Sequence, residues 1–274
     1  MKIKTIFVVF NLLLLASFAV VFFMPLFILG RGQILDFWGR NLFLVLAFLL
    51  VFVAFNLFFL SRWRLHSLLE AEDWRGIRDY LEGRLQRGGG LSSLRLRILI
   101  NTYFILADME GLARLEALLR ERGSRRHAAF GLELGLPYLM RNDPAGEAHF
   151  AELARSPGLR KKDWVLWSLA FCRASRRDMT GAEEVLQKLA PSAADPIVAS
   201  LALFLLDGLP GSENAELVRE GRKKLRAGRS AGDWDRLIEK SKENLEVLVL
   251  IKLVRRAAAW LYADAAAVPG GVKG

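Results

Sequence analysis

The chain has 274 residues, with 39 Lys and Arg against 29 Asp and Glu, a net charge of +10 and a single cysteine. One cysteine, Cys172, excludes an intramolecular disulfide and agrees with a reducing compartment. The basic excess suits an anionic leaflet, nucleic acid or an acidic partner and does not choose among them.

The charge is unevenly spread, and the chain divides near residue 61. Before it the only charged side chains are Lys2, Lys4, Arg31, Asp36 and Arg40, and 13 of the 18 Phe lie there. Residues 6–29 and 41–60 are mostly apolar runs of 24 and 20 residues. Each is long enough, as a helix, to cross about 30 Å of hydrocarbon. A signal peptide does not fit the first run: its apolar core would be too long, no small-residue cleavage site follows, and a second span comes soon after. Residues 1–61 are therefore expected to form a transmembrane helical hairpin. Lys2, Lys4, Arg62, Arg64, Arg75 and Arg78 outweigh the charge of the intervening "GRGQILDFWGR". Both termini are then cytoplasmic in a multi-pass inner-membrane protein, with Phe37 and Trp38 at the far interface and Trp63 at the near one. Asn11 and Asn56 fall at similar depth. Their amides either bond across the hairpin or reach the headgroups.

Beyond the hairpin, 35 Lys and Arg face 28 Asp and Glu, a net +7. Here Asp-x-x-Gly recurs as Asp73-Trp-Arg-Gly76, Asp108-Met-Glu-Gly111, Asp143-Pro-Ala-Gly146 and Asp178-Met-Thr-Gly181, the aspartates 35 residues apart each time. Self-similarity at that period signals a helical solenoid. Leading helices read "LRLRILINTYFIL", "HAAFGLELGLPYLM" and "DWVLWSLAFCRA". Second helices read "GLARLEALLRER", "AGEAHFAELARS" and "GAEEVLQKLA". The aspartate between them is expected to cap the second helix, a contact worth about 0.5–2 kcal/mol over Ala. Pro144 after Asp143 agrees, since Pro favours the first helical position. Glycine is a poor helix former, so the glycine of each motif implies a close approach. A nucleotide-switch reading fails: the copies keep a structural period and no G-x-x-x-x-G-K-[ST] occurs.

These residues resemble the tetratricopeptide repeat family, helix–turn–helix units of about 34 residues. "LGLPYLMRND", 134–143, is similar to that family's Leu-Gly-x-x-Tyr and following turn. Tyr103 sits five residues before its aspartate as Tyr138 does, and Ala170 and Ala182 take small-residue places. The period of 35, and Leu65 and Ile100 at small places, depart from the pattern. The likeness covers residues 62–192 well and a fifth unit, 195–228, more loosely. The expected architecture is all-α: the hairpin, TPR-like repeats over 62–228, and capping helices with a frayed tail over 229–274. In the last segment, "LEVLVLIKLVRRAAAWLYADAAA" reads as a cap sealing the solenoid core or as a membrane-surface helix.

No catalytic constellation is present, and neither a cofactor nor a metal ligand set is expected. His66, His127 and His149 have no partner at ligand spacing, and Gly88-Gly89-Gly90 reads as a connector. The resemblance implies that leading helices line a concave groove faced by Arg97, Asn101, Trp164, Trp167 and Phe171. Aromatics beside Arg are frequent binding hot spots; the same aromatics packed between units would be core. Basic residues gather at unit junctions: Arg120, Arg122, Arg125 and Arg126; Arg155, Arg160, Lys161 and Lys162; then Arg222, Lys223, Lys224, Arg226 and Arg229. They form either a basic edge for anionic lipid or charges complementing helix C-termini, each worth about 0.3–1 kcal/mol. Nucleic acid is disfavoured, because no aromatic platform accompanies the charge. The expected function is a non-catalytic, membrane-anchored scaffold for a protein or peptide partner; membrane-surface or nucleic-acid binding through the basic edge is the alternative.

Overall fold

The computed structural model describes residues 3–29, 34–123, 125–156, 159, 161–210 and 214–263. All regular structure among them is helical, and the chain separates into two compact units, Met1–Glu72 and Asp73–Gly274.

The first unit pairs α1 (Ile3–Leu29) with α2 (Ile34–Glu70). Asn56 donates to Asn11 Oδ1 at 3.0 Å, so the two amides bond across the pair. Phe18 stacks on Phe48 at 4.2 Å and Phe10 meets Phe55 at 4.9 Å. Many of the described apolar side chains are exposed, Leu12 at 66%, Phe43 at 77% and Leu50 at 72%. Among the described residues no helix is long and apolar enough to cross a membrane. The expected spans rest partly on residues 6, 7, 21, 25–29, 41, 44, 45 and 58–60, whose side chains lie outside the described set, as do those of Arg31, Phe37 and Trp38. The expected boundary at residue 61 falls within a continuous helix. No Gly or Pro interrupts 41–70, so α2 runs on to Glu70.

The second unit continues with α3 (Trp74–Gln86), α4 (Ser93–Ile105), α5 (Met109–Glu121), α6 (Arg125–Ala129), α7 (Gly131–Arg141), α8 (Ala145–Ala154), α9 (Lys162–Ser175), α10 (Met179–Ser192), α11 (Pro196–Asp207), α12 (Ala215–Arg226), α13 (Ala231–Ser241), α14 (Leu245–Val249) and α15 (Ile251–Tyr262). The four aspartate turns share a left-handed entry and differ in detail after it. The residue before each aspartate has a left-handed backbone, with φ 52° at Glu72, 53° at Ala107, 51° at Asn142 and 66° at Arg177. The aspartate amide then reaches back five residues, Asp108 to Tyr103 O at 2.9 Å and Asp178 to Arg173 O at 3.0 Å. This closes the preceding helix. The carboxylate opens the next one: Asp73 accepts from the Gly76 amide at 2.9 Å, Asp108 from Gly111 at 2.8 Å and Asp178 from Gly181 at 3.0 Å. Asp143 accepts one residue earlier in its motif, from Ala145 at 2.9 Å.

The motif glycine makes room for that carboxylate. A Cβ on Gly181 would lie 2.2 Å from Asp178 Oδ2, and one on Gly111 2.5 Å from Tyr103 Cε1. From α3 to α12 successive helices pack in chain order, and α7, α9 and α11 also touch in sequence. One core then runs from Leu132 in α7 to Leu261 in α15. Two expected helices are broken. The stretch 127–140 divides at Phe130 into α6 and α7, and the apolar C-terminal run divides at Leu250 into α14 and α15. α15 packs on α11, α12 and α13 with Val254, Ala257 and Leu261 buried, while α14 returns to α7.

Candidate functional site

α4 projects Ser93, Arg97, Ile100 and Asn101 from one face, since side chains spaced three and four apart share a side of a helix. They line a cleft of about 430 Å³. The opposite walls come from the α6–α7 break, including Leu132 and Glu133, and from the segment entering α14, including Leu245. Lys161 also lines the cleft. Its ammonium lies 3.2 Å from Glu133 Oε1 and 3.0 Å from Glu246 Oε2, the latter residue 1% exposed. Burial favours loss of the Lys161 proton, but the two carboxylates outweigh it and raise its pKa. α14 thus brings an ion pair into the cleft from a segment 85 residues away along the chain.

The structure divides the five residues expected in a groove. Arg97 and Asn101 are exposed on the cleft wall. Trp164 and Trp167 are instead interior, at 4% and 1% exposure, because α9 is flanked by α7, α8, α10 and α11. The Trp164 indole donates to Asp195 Oδ2 at 2.9 Å. Half-buried Phe171 stacks on Trp167 at 5.3 Å. These aromatics are packing between units.

Several of the basic residues expected along one edge are engaged by neighbouring elements. Arg120 donates to Glu152 at 2.8 Å and Arg122 to the Leu85 carbonyl at 3.5 Å. Arg122 and Arg126 border a small cavity of about 180 Å³. Lys161 points into the cleft, not along an edge, because Glu133 and Glu246 hold it there. Lys162 is exposed. The side chain of Arg125, and Arg160, lie outside the described residues. Arg222 and Arg226 both donate to the Leu261 and Ala263 carbonyls at the end of α15. Those are helix-end acceptors left without an intrahelical partner.

Two of the histidines come together in the interior. His127 on α6 and His149 on α8, 8% and 1% exposed, converge on Glu116 of α5, 4% exposed. Their three donor atoms lie within 4.8 Å of one another. His127 Nε2 is 3.0 Å from Glu116 Oε1, and His149 Nδ1 is 3.4 Å from that same oxygen. The His127 bond foremost, with the adjacent His149 and the Arg120 guanidinium, holds the Glu116 carboxyl below the usual range against the effect of burial. The Tyr138 ring lies 5.2 Å from that of His149. Separations of 11 and 22 residues from Glu116 to His127 and from His127 to His149 fall outside any local ligand motif. The one signal in the sequence was that both histidines stand among apolar neighbours, in "HAAF" and "AHFA".

The family described as "Uncharacterised Treponema protein" matches residues 111–263, a stretch that contains all three cluster residues. A protein of Treponema pallidum (strain Nichols), described as "Uncharacterized protein", is 27% identical over 281 residues, covering 96% of this chain and 88% of that one. No solved structure matches. With more than half of its length matched, the chain belongs to this family of uncharacterised Treponema proteins.

Proposed function

We propose that the chain is a non-catalytic, membrane-anchored scaffold whose helical-repeat unit, similar to tetratricopeptide repeats, binds a protein or peptide partner. The α4 cleft carries this reading. It sets the exposed polar groups of Arg97 and Asn101 beside apolar Ile100, Leu132, Leu159 and Leu245. Such a lining suits a chain that presents both backbone polar groups and apolar side chains. Arg97 adds a preference for a partner with a carboxylate near the contact.

Anchoring draws support from the first unit. Its exposed Leu12, Phe43 and Leu50 belong to an apolar surface of the kind that soluble proteins seldom present to water. The Asn11–Asn56 bond joins the two helices as interhelical amides do in lipid, for about 0.6–2 kcal/mol. The Lys and Arg bias then favours an inner-membrane hairpin with both termini cytoplasmic.

The test is a crosslinking pull-down from membranes with the intact chain and its Arg97→Glu and Lys162→Glu variants. Arg97→Glu is expected to lower recovery of the crosslinked partner at least about tenfold, in keeping with loss of a buried charge-assisted contact. Lys162→Glu should leave recovery unchanged, and both variants should melt as the parent does. The opposite pattern, with capture lost only in Lys162→Glu and falling steeply with salt, would move the function to the basic edge.

A further inference from the structure

We propose that Glu116, His127 and His149 form a binding site for one divalent metal ion of the zinc class. The proton on His149 is fixed by its surroundings. Its Nε2 lies 2.9 Å from the carbonyl oxygen of Gly131. A carbonyl only accepts, so Nε2 carries the hydrogen. In a neutral ring Nδ1 is then a bare lone pair. That atom is buried without a hydrogen-bond partner, yet it stands 3.4 Å from Glu116 Oε1. A lone pair facing a carboxylate oxygen in a dry interior is repulsive, and either a second ring proton on Nδ1 or a metal ion between the two atoms relieves it. His149 is 1% exposed, which keeps bulk water from supplying the missing partner.

The donor set identifies the cation. Two imidazole nitrogens and one carboxylate oxygen suit zinc and its transition-metal neighbours. Calcium and magnesium prefer oxygen throughout. The anchoring of His149 by a backbone carbonyl is the support that metal-bound histidines generally have, because it fixes both the tautomer and the ring plane. The two separations from Glu116 are close to those of a metal site, and the histidine nitrogens, within 4.8 Å of each other, have to draw together on binding. Ligands about 2.0–2.2 Å from a tetrahedral ion lie roughly 3.3–3.6 Å from one another, and Glu116 Oε1 to His149 Nδ1 is already 3.4 Å. His127 Nε2, at 3.0 Å, has to withdraw by a few tenths of an ångström.

Arg120 stands beside the site, with Nε 3.6 Å from Glu116 Oε1. Its outer nitrogen is drawn to Glu152 at 2.8 Å, which offsets part of its charge. The ligands come from α5, α6 and α8. A bound ion would tie the five-residue α6 to the second helices of two successive units. The ion therefore serves to hold this junction together.

The test uses the full chain in detergent, stripped with a chelator and dialysed, then titrated with zinc chloride by calorimetry and with cobalt(II) by visible absorption. The expected result is one equivalent of zinc per chain, a raised melting temperature, and the intense visible bands of four-coordinate cobalt. His127→Gln retains an N–H for Glu116 while removing a ligand nitrogen, and should weaken zinc binding at least about tenfold. His66→Gln, an exposed position on α2, should bind as the parent does. The proposal is overturned if the folded, stripped parent takes up less than one equivalent. It is overturned equally if His66→Gln rather than His127→Gln abolishes uptake. Should His127→Gln unfold, the parent's stoichiometry and cobalt spectrum decide alone: octahedral, weakly absorbing cobalt would mean that the buried nitrogens are not ligands.

Discussion

Glu116 is a carboxylate with almost no contact with solvent, and it stays charged because His127 donates to it while His149 and Arg120 stand beside it. Its folded pKa is depressed below the ordinary 4.5. The stability it contributes is thus present above about pH 4.5 and is lost as pH falls through the lower folded value. Glu116→Gln should destabilise the metal-free chain by about 1.5–3 kcal/mol at neutral pH, the usual scale for hydrogen bonds to a charged group. Melting curves of parent and variant from pH 7 down to pH 3 should draw together as acid neutralises the parent carboxylate. Parallel curves throughout would mean that Glu116 is already protonated in the fold. Cys172 has the opposite character. Burial pushes its thiol up to about 12, so it is a core side chain with little thiolate at neutral pH.

Among the elements, the aspartate turn is the repeated device. One residue closes a helix through its amide and opens the next through its carboxylate, and a left-handed residue before it turns the chain. Asp178→Ala should cost about 0.5–2 kcal/mol in chemical denaturation and leave partner capture untouched at saturating folded protein. Gly181→Ala should cost at least as much, because a Cβ there would collide with the Asp178 carboxylate 2.2 Å away. Loss of partner capture by Asp178→Ala with an unchanged denaturation midpoint would make the aspartate a ligand instead of a cap. The same logic explains α12 and α15. The guanidinium groups of Arg222 and Arg226 satisfy the final carbonyls of α15, which is the helix-end role that the sequence left open beside a basic edge.

At the scale of the whole molecule, the proposed inner-membrane hairpin places the C-terminus in the cytoplasm. A reporter fused after Gly274 should be active only as a cytoplasmic fusion, and a periplasmic-active fusion would refute the orientation and change the class of partner. How much of the molecule was legible in the sequence follows from the range of the interactions. The aspartate turns were legible because capping is local: Asp108 and Gly111 are three residues apart, and period and residue type suffice to place them. The all-helical class was legible for a similar reason, since apolar spacing within one helix reports its buried face. The pairing of Asn11 with Asn56 was left open between two readings, and the third dimension chose one. The local reading likewise left two alternatives open for α9. Its Trp164 and Trp167 have spacing that fits a groove wall or a core equally, and only the presence of helices on every side made them interior. It failed for Lys161, whose fate depended on Glu246, 85 residues onward. Glu116, His127 and His149 were invisible for the same physical cause. No periodicity connects them; the packing of three separate helices brings their donor atoms within 4.8 Å. Sequence by itself determined the helical class and the aspartate turns, because those depend on near neighbours. Tertiary structure alone decided which polar groups meet, because burial and ion pairing depend on residues that the chain brings together only when it folds.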